Sequence, residues 1–325
     1  MRTPLASTTR CAAELAAPGV RARQFLSLRD QGLQLVLWLV VSALSPRAEA
    51  AATADGDLAK RIQRGESFLT NLFDTRLQLL PEYRGSSTYW LFHDNYLAAH
   101  LLARTRPDLS RRIRSTLVQF GVTNSGKIEI VFDEARQPLP FRTHLLTNVA
   151  VIEGKTIRTE LVTTNVLSGW NEYADLVLLA SLAQAGSAPA DARKAFNKAV
   201  AMWDGEGFKD AAARHSGIYA TYKLALYLIA ADRLKISAPH LEEVLARLLA
   251  MQSSDGGWKT DYKDGKPVGL ANVETTCLSL LALQTSIKQN VSRTRCRSAR
   301  SSRRKEALTK NPEPNQSEPP YVGGY

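Results

Sequence analysis

The chain has 325 residues, 44% of them hydrophobic, with 42 Lys and Arg against 31 Asp and Glu for a formal net charge of +11. The charge sits at the ends: residues 1–49 hold 6 basic against 3 acidic side chains, residues 286–325 hold 9 against 3, and the middle holds 27 against 25. A near-neutral middle excludes a specific nucleic-acid-binding core, and three widely spaced cysteines (Cys11, Cys277, Cys296) exclude a disulfide scaffold.

At the N-terminus, Arg21, Arg23 and Arg29 precede an apolar run from Leu33 to Leu44, and Ala48-Glu49-Ala50 follows as an A-x-A pattern. Residues 1–50 are therefore expected to be an export signal cleaved after Ala50, placing the protein in the periplasm or outside the cell. Asp30 and the long leading section leave two alternatives open: translation that starts downstream of Met1, or an uncleaved membrane anchor through residues 33–44.

The apolar periodicity then predicts a helix from Asp57 to about Phe73, with Ile62, Phe68, Leu69 and Leu72 inward and Asp55 or Asp57 as its cap. Tyr89 to Leu102 reads as a helix buried on most sides, and Leu109 to Phe120 as its basic, amphipathic neighbour. Residues 121–166 break this rhythm. Lys127 to Phe132 reads as a strand, and Thr147–Ile152 joined through Glu153-Gly154-Lys155 to Thr156–Val162 reads as a β-hairpin, most simply a lid or wall beside a mouth. Helical pairs resume with Asn171 to Ala185 and Pro189 to Met202, then His215 to Ala231 and Ala238 to Gln252. A last apolar helix starts near Asn272, with no outer partner evident. Cys277 within it is expected to pack as a small core residue. Beyond Lys288 the chain turns Arg/Ser-rich and then Pro-containing, and residues 289–325 are expected to be a disordered tail.

The run Met251-Gln252-Ser253-Ser254-Asp255-Gly256-Gly257-Trp258, followed by Asn272-Val273-Glu274-Thr275-Thr276-Cys277, carries the clearest architectural signal. A glutamine at a helix end can bond backbone groups, and a tryptophan beyond the turn can cover apolar surface, so together they tie one helical hairpin to the next. Residues 241–284 thus resemble the QW-type repeat of the terpenoid cyclase and protein prenyltransferase superfamily. The resemblance implies a mainly α protein, an α/α toroid over residues 55–288 with helical hairpins in two layers and a β-hairpin insertion at about 121–166. About eight helices are countable where a full toroid of six hairpins needs twelve, so this one is smaller, open-sided or shortened.

In such a toroid the inner helices begin on a common rim, so polar groups of their first turns converge. This singles out Asp94, Glu172, Asp175 and Glu274 as acid/base candidates. Trp90, His93, Asn95, Trp170, Asn171, His215, Tyr219, Trp258, Asp261 and Tyr262 are the candidate ligand-binding groups. Two carboxylates among aromatic walls suit glycoside chemistry, although acids in a first helical turn also serve the helix dipole alone. The motifs of the superfamily's better-known members are missing. Neither DxDD nor DDxxD occurs, and no histidine follows His240 to complete the zinc set that prenyltransferases build around Asp and Cys, so no metal or other cofactor is expected. The expectation is an exported toroid with an acidic, aromatic-rimmed cleft for a small-molecule or glycan ligand. One form is an enzyme acting on a glycan or terpenoid-like substrate, and the other a non-catalytic ligand- or protein-binding toroid. Contact with a membrane is expected only through the N-terminal segment.

Overall fold

The computed structural model describes residues 46–121, 127–133 and 139–285. Contacts divide the chain into Met1–Ala52 and Thr53–Tyr325. The expected signal run Leu33–Leu44, the tail 289–325, Cys11 and Cys296 lie outside the described residues. Everything below concerns the second unit.

Eight α-helices and two three-stranded sheets make this a mainly α fold among the described residues. The helices are α1 (Pro46–Leu72), α2 (Leu97–Leu102), α3 (Pro107–Gln119), α4 (Ala174–Gln184), α5 (Pro189–Val200), α6 (Thr221–Leu234), α7 (Leu241–Ala250) and α8 (273–285). They are of two kinds. In α4 nearly every residue from Leu176 to Leu182 is buried, and in α6 every one from Lys223 to Ala231. By contrast α5 buries only Ala192, Phe196 and Ala199, and α7 only Val244 and Leu248. A helix apolar all round needs neighbours on every side, whereas one with a single stripe ends the packing. The pairs α2/α3, α4/α5 and α6/α7 each join one of the first kind to one of the second. A serine pins two of these pairs closely: Ser110 Oγ donates to the Ala99 carbonyl at 2.7 Å, and Ser181 Oγ to that of Ala192 at 2.8 Å.

The Gln252–Trp258 segment joins α7, α8 and α1. Gln252 Nε2 donates to the carbonyls of Arg61 and Gly256, each at 2.9 Å. Trp258 is fully buried, its indole N–H donating to the Leu248 carbonyl at 2.9 Å while its backbone N–H reaches Thr276 Oγ1. Gly256 has φ +97°, and a Cβ there would meet the Arg64 carbonyl at 2.4 Å, so only glycine lets this turn lie against α1. Helix α1 also lies beside α8, where a Cβ on Gly65 would sit 2.8 Å from both Leu280 and Trp258.

The elements depart from the sequence reading at several points, among them the starts of α4 and α6, which lie at Ala174 and Thr221 and not at Asn171 and His215. Between the turn that presents Trp258 and the helix read as starting near Asn272, where the sequence reading set no element, lies a hairpin of β5 (Trp258–Lys263) and β6 (Lys266–Asn272), with β4 (Tyr219–Ala220) paired to β5. Its two-residue turn is Asp264-Gly265, both at positive φ, the conformation such hairpins demand. Lys127–Phe132, expected as a strand, is a 3-10 turn over Ile128–Phe132 with four consecutive residues buried, which leaves no second face for a strand to expose. Tyr89 and Trp90 belong to strand β1 (Thr88–Trp90), and the chain then makes a π-helical turn, Leu91–Tyr96, before α2. Finally, α1 starts well before Asp57, so that residue caps nothing and instead pairs with Arg61 at 2.8 Å.

The expected β-hairpin is present and longer than read, β2 (Arg142–Ile152) antiparallel to β3 (Lys155–Val166), with β1 parallel to β3 on its other side. Its turn end is fixed by Asp74, which accepts from Lys155, from Tyr89 Oη at 3.0 Å and from the backbone N–H groups of Arg76 and Leu77. Burial would raise the Asp74 pKa, but these donors bring it down to about 2. Cys277 is buried in α8, as a core thiol. No helix among the described residues is long and apolar enough to cross a membrane.

Candidate functional site

The first turns of the π-helical segment, α4, α6 and α8 meet around one cavity of about 310 Å³. Each follows an extended residue or strand, so each presents its opening side chains at the same end: His93 and Asp94, Asp175, Tyr222, and Glu274. The π turn is what delivers the first of these. Asn95 turns inward, accepting from the Leu80 N–H at 2.7 Å and donating to the carbonyls of Leu80 and Trp90. With the Trp90 carbonyl taken by a side chain, the helix opens wide, and His93 and Asp94 face the cavity.

His93 lies between two carboxylates. Its Nδ1 is 3.2 Å from Glu274 Oε1 and its Nε2 3.1 Å from Glu160 Oε2; the second contact is an ion pair whose N–H is poorly aligned for a hydrogen bond. Burial pushes the His93 pKa down, and the two carboxylates more than reverse this, raising it to about 10. Glu160 is half-buried, which would raise its pKa. The hydrogen bond with His144 and the positive charge of His93 instead hold it well below the ordinary carboxylate range. A four-membered chain of His144, Glu160, His93 and Glu274 thus runs from the sheet to the cavity wall, imidazole alternating with carboxyl.

Asp94 has the opposite surroundings. It is 1% exposed, and burial, followed by the negative charges of Glu274 and Glu82, pushes its pKa well above the ordinary value. The Glu274 backbone N–H and the His93 charge oppose this without overcoming it. Its Oδ2 has no hydrogen-bond partner among the described residues. Glu82 is also raised, by burial first and by Glu274, against a hydrogen bond from the Trp90 indole.

Across the cavity, Asp175 opens α4. Its Oδ2 accepts from Tyr222 Oη at 3.2 Å, and its Oδ1, 3.7 Å from Lys223 Nζ, lacks a hydrogen-bond partner among the described residues. Lys223 is itself buried, held by Asp210 Oδ2 at 2.5 Å. Burial and the adjacent Asp175 raise the Tyr222 phenol far above its normal range. Ile128, Val131, Leu176, Leu179, Leu226 and Leu278 give the wall an aliphatic part, and Lys127 and Asn272 complete the lining.

The structure therefore gathers Trp90, His93, Asp94, Asp175 and Glu274 on one cavity, and places the other candidates elsewhere. Glu172 is in a 3-10 turn, Trp170–Glu172, before α4; its side chain is 56% exposed and 3.7 Å from Arg214. Trp170 packs edge-on to Phe141, while Asn171 and His215 are exposed. Tyr219 and Tyr262 stack at 5.4 Å and donate to Asp204 and to the Glu206 carbonyl, against a Gly207 that leaves no room for a Cβ. Asp261 is paired within the β4-β5-β6 sheet. Trp258 serves the joint already described, and Asn95 shapes the turn without lining the cavity.

Glu82, Glu160, His144, Lys127, Tyr222 and Asn272 escaped the sequence reading. Tyr222 had a usable signal, because it opens an apolar helix as Asp175 and Glu274 do. Glu160 had only half of one, since strand alternation places Arg158, Glu160 and Val162 on one face without saying what that face meets. Among the described residues no group of three or more His, Cys, Asp or Glu could hold a metal ion. No family model, no curated protein and no solved structure matches the chain.

Proposed function

We propose that the chain is a small α/α toroid of four hairpins whose cavity performs carboxylate acid/base chemistry on a neutral, glycan-like ligand. Three hairpins are α2/α3, α4/α5 and α6/α7, and α1 serves as the outer partner that α8 otherwise lacks. The burial of α4 and α6 on all sides and the contact of α1 with α8 support this architecture.

One observation carries the chemistry. Of the cavity's carboxyl oxygens, Asp94 Oδ2 and Asp175 Oδ1 are buried without hydrogen-bond partners, on residues in contrasting electrostatic surroundings. An unpaired buried oxygen is costly unless a ligand completes it. Asp94, surrounded by negative charge, keeps its proton near neutrality and is the general acid. Asp175, beside the Lys223 ammonium, is the base that accepts a proton from water. Pairs of acids pushed apart by environment are the usual means of assigning such roles. Glu160 and Glu274 are committed to His93 and hold the wall in place. A carboxyl with a raised pKa is a weak acid, suited to protonating an oxygen near neutral pH and poorly suited to protonating an alkene, which favours a glycosidic bond over a terpenoid substrate. The aliphatic part of the wall then meets the carbon face of a sugar or an apolar leaving group.

The test is a panel of neutral oligosaccharides and aryl glycosides, scored first for binding and then for released reducing ends. Asp94→Asn and Asp175→Asn are expected to lower kcat by about 10²–10⁴ while binding persists. Binding without turnover, unchanged in either variant, would make this a recognition protein. No binding to any member would remove the glycan reading.

A further inference from the structure

Two consecutive residues at the start of α6 meet two different aspartates, in two different ways. Lys223 Nζ is 2.5 Å from Asp210 Oδ2, an oxygen that also accepts from the Ala174 N–H at the opening of α4. The same ammonium is 3.7 Å from Asp175 Oδ1, too far for a hydrogen bond, so it acts on Asp175 through charge alone. Tyr222 does the reverse. Burial, Asp175 and Glu274 raise its phenol far above the ordinary range, so it is neutral at any working pH, and its Oη donates to Asp175 Oδ2 at 3.2 Å. That is the one hydrogen bond of the Asp175 side chain among the described residues.

An aspartate carboxylate turns readily about its Cβ–Cγ bond, and half a turn exchanges its two oxygens. A donor on one of them removes that symmetry. Here Oδ2 is taken and Oδ1 is buried with no hydrogen-bond partner among the described residues, and both Asp175 and Tyr222 line the cavity. Tyr222 is itself firmly placed. From Lys223 to Ala231 every residue behind it on α6 is buried, and the Lys223 ammonium lies 6.0 Å from its ring centroid. The hydroxyl therefore reaches Asp175 from a rigid element, as the support of a chemical group requires.

We propose that Tyr222 is the positioning residue of the site: its hydroxyl fixes Asp175 Oδ2, so that Oδ1, beside the Lys223 ammonium, is the oxygen that takes the proton from water. This rests on the reading of Asp175 as the general base. Lys223 supplies charge and Tyr222 supplies direction. A carboxylate free to turn loses the aligned geometry on which proton transfer from water depends.

Tyr222→Phe removes the hydroxyl and keeps the ring. On the best glycan substrate of the parent, kcat is expected to fall about ten- to a hundredfold with KM changed by less than about threefold. In an Asp175→Asn background the same substitution should cost less than about twofold, because no base is left to position. Tyr219→Phe, which removes a like bond to Asp204 outside the cavity, should leave both constants within about twofold. Crystals of Tyr222→Phe should show the Asp175 carboxylate turned from its parent position or in two orientations. A kcat that survives the substitution overturns the proposal, as does an equal loss with and without Asp175, or a carboxylate that keeps its parent orientation in the variant crystal. If the parent turns over no glycan, the glycan reading fails by itself, and the crystals still decide whether Tyr222 positions Asp175. If the variant does not fold, the parent crystal decides: Oδ2 on Tyr222 with a water at Oδ1 supports the proposal, and an Asp175 without the Tyr222 bond, or with Oδ1 bonded to Lys223, overturns it.

Discussion

Two buried aspartates, each 1% exposed, live in opposite worlds a short way apart. Asp210 is saturated: Oδ2 accepts from Lys223 and from the Ala174 N–H at 2.9 Å, while Oδ1 accepts from Ala212 and Ala213. Asp94 faces the carboxylates of Glu82 and Glu274 with one oxygen unpartnered. The first locks the start of α4 to the loop before α6, and the second has its pKa pushed up by burial and by Glu274 and is left incomplete. Burial by itself therefore says nothing about role. What separates a structural acid from a chemical one is whether its surroundings finish its hydrogen bonds.

The comparison can be broken at several points. The largest expected effect is on stability at the saturated site: Asp210→Ala strands the Lys223 ammonium and should cost about 3–5 kcal/mol in urea denaturation. Adding Lys223→Met should recover a good part of that loss, and a double variant as weak as the single would show that the pair is not the cause. Next comes the cation beside Asp94. His93 holds its proton to about pH 10 in the fold, against about 6.5 in the unfolded chain, so its contribution is complete below about 6.5 and fades as pH rises toward 10. Stability measured from pH 6 to 10 should fall more steeply in the parent than in His93→Gln; parallel curves would remove the ion pairs from the account. The smallest effect is expected from Asp94→Asn. Burial and the charges of Glu274 and Glu82 oppose ionisation of the parent residue, a cost the amide does not carry, so it should fold as well or better, by up to about 1–2 kcal/mol, while turnover is lost. A large destabilisation there would make Asp94 structural after all.

Much of the helical plan could be read from the chain because the helices buried on all sides and those buried along one stripe differ in composition all along their length. Leu176–Leu182 is apolar on every side, and Ala192 and Phe196 are apolar on one. The hairpin at Glu153-Gly154 was legible for the same local reason. The cavity was half legible. Asp94, Asp175 and Glu274 announce themselves as polar openings of apolar helices, whereas Glu82 and Glu160 reach it only through pairings between distant segments, the Glu82 carbonyl with the Val273 N–H and β3 with the π turn. Glu172 misled because the helix was read as beginning three residues early; the 3-10 turn carries its side chain outward. The π turn itself depends on Asn95 finding Leu80, a tertiary contact that no local pattern encodes.

The side-by-side placement of α1 and α8 also sets the order in which this protein can assemble. Gln252 reaches Arg61 across 191 residues, and Gln284 reaches Glu66 across 218. Leaving the ribosome ahead of the other described helices, α1 brings out Phe68, Leu69 and Leu72 long before Trp258 and Leu280 exist to cover them. Closing so long a loop comes late in folding. Until then the chain is an array of hairpins with an uncovered seam, open to chaperones and to wrong partners alike.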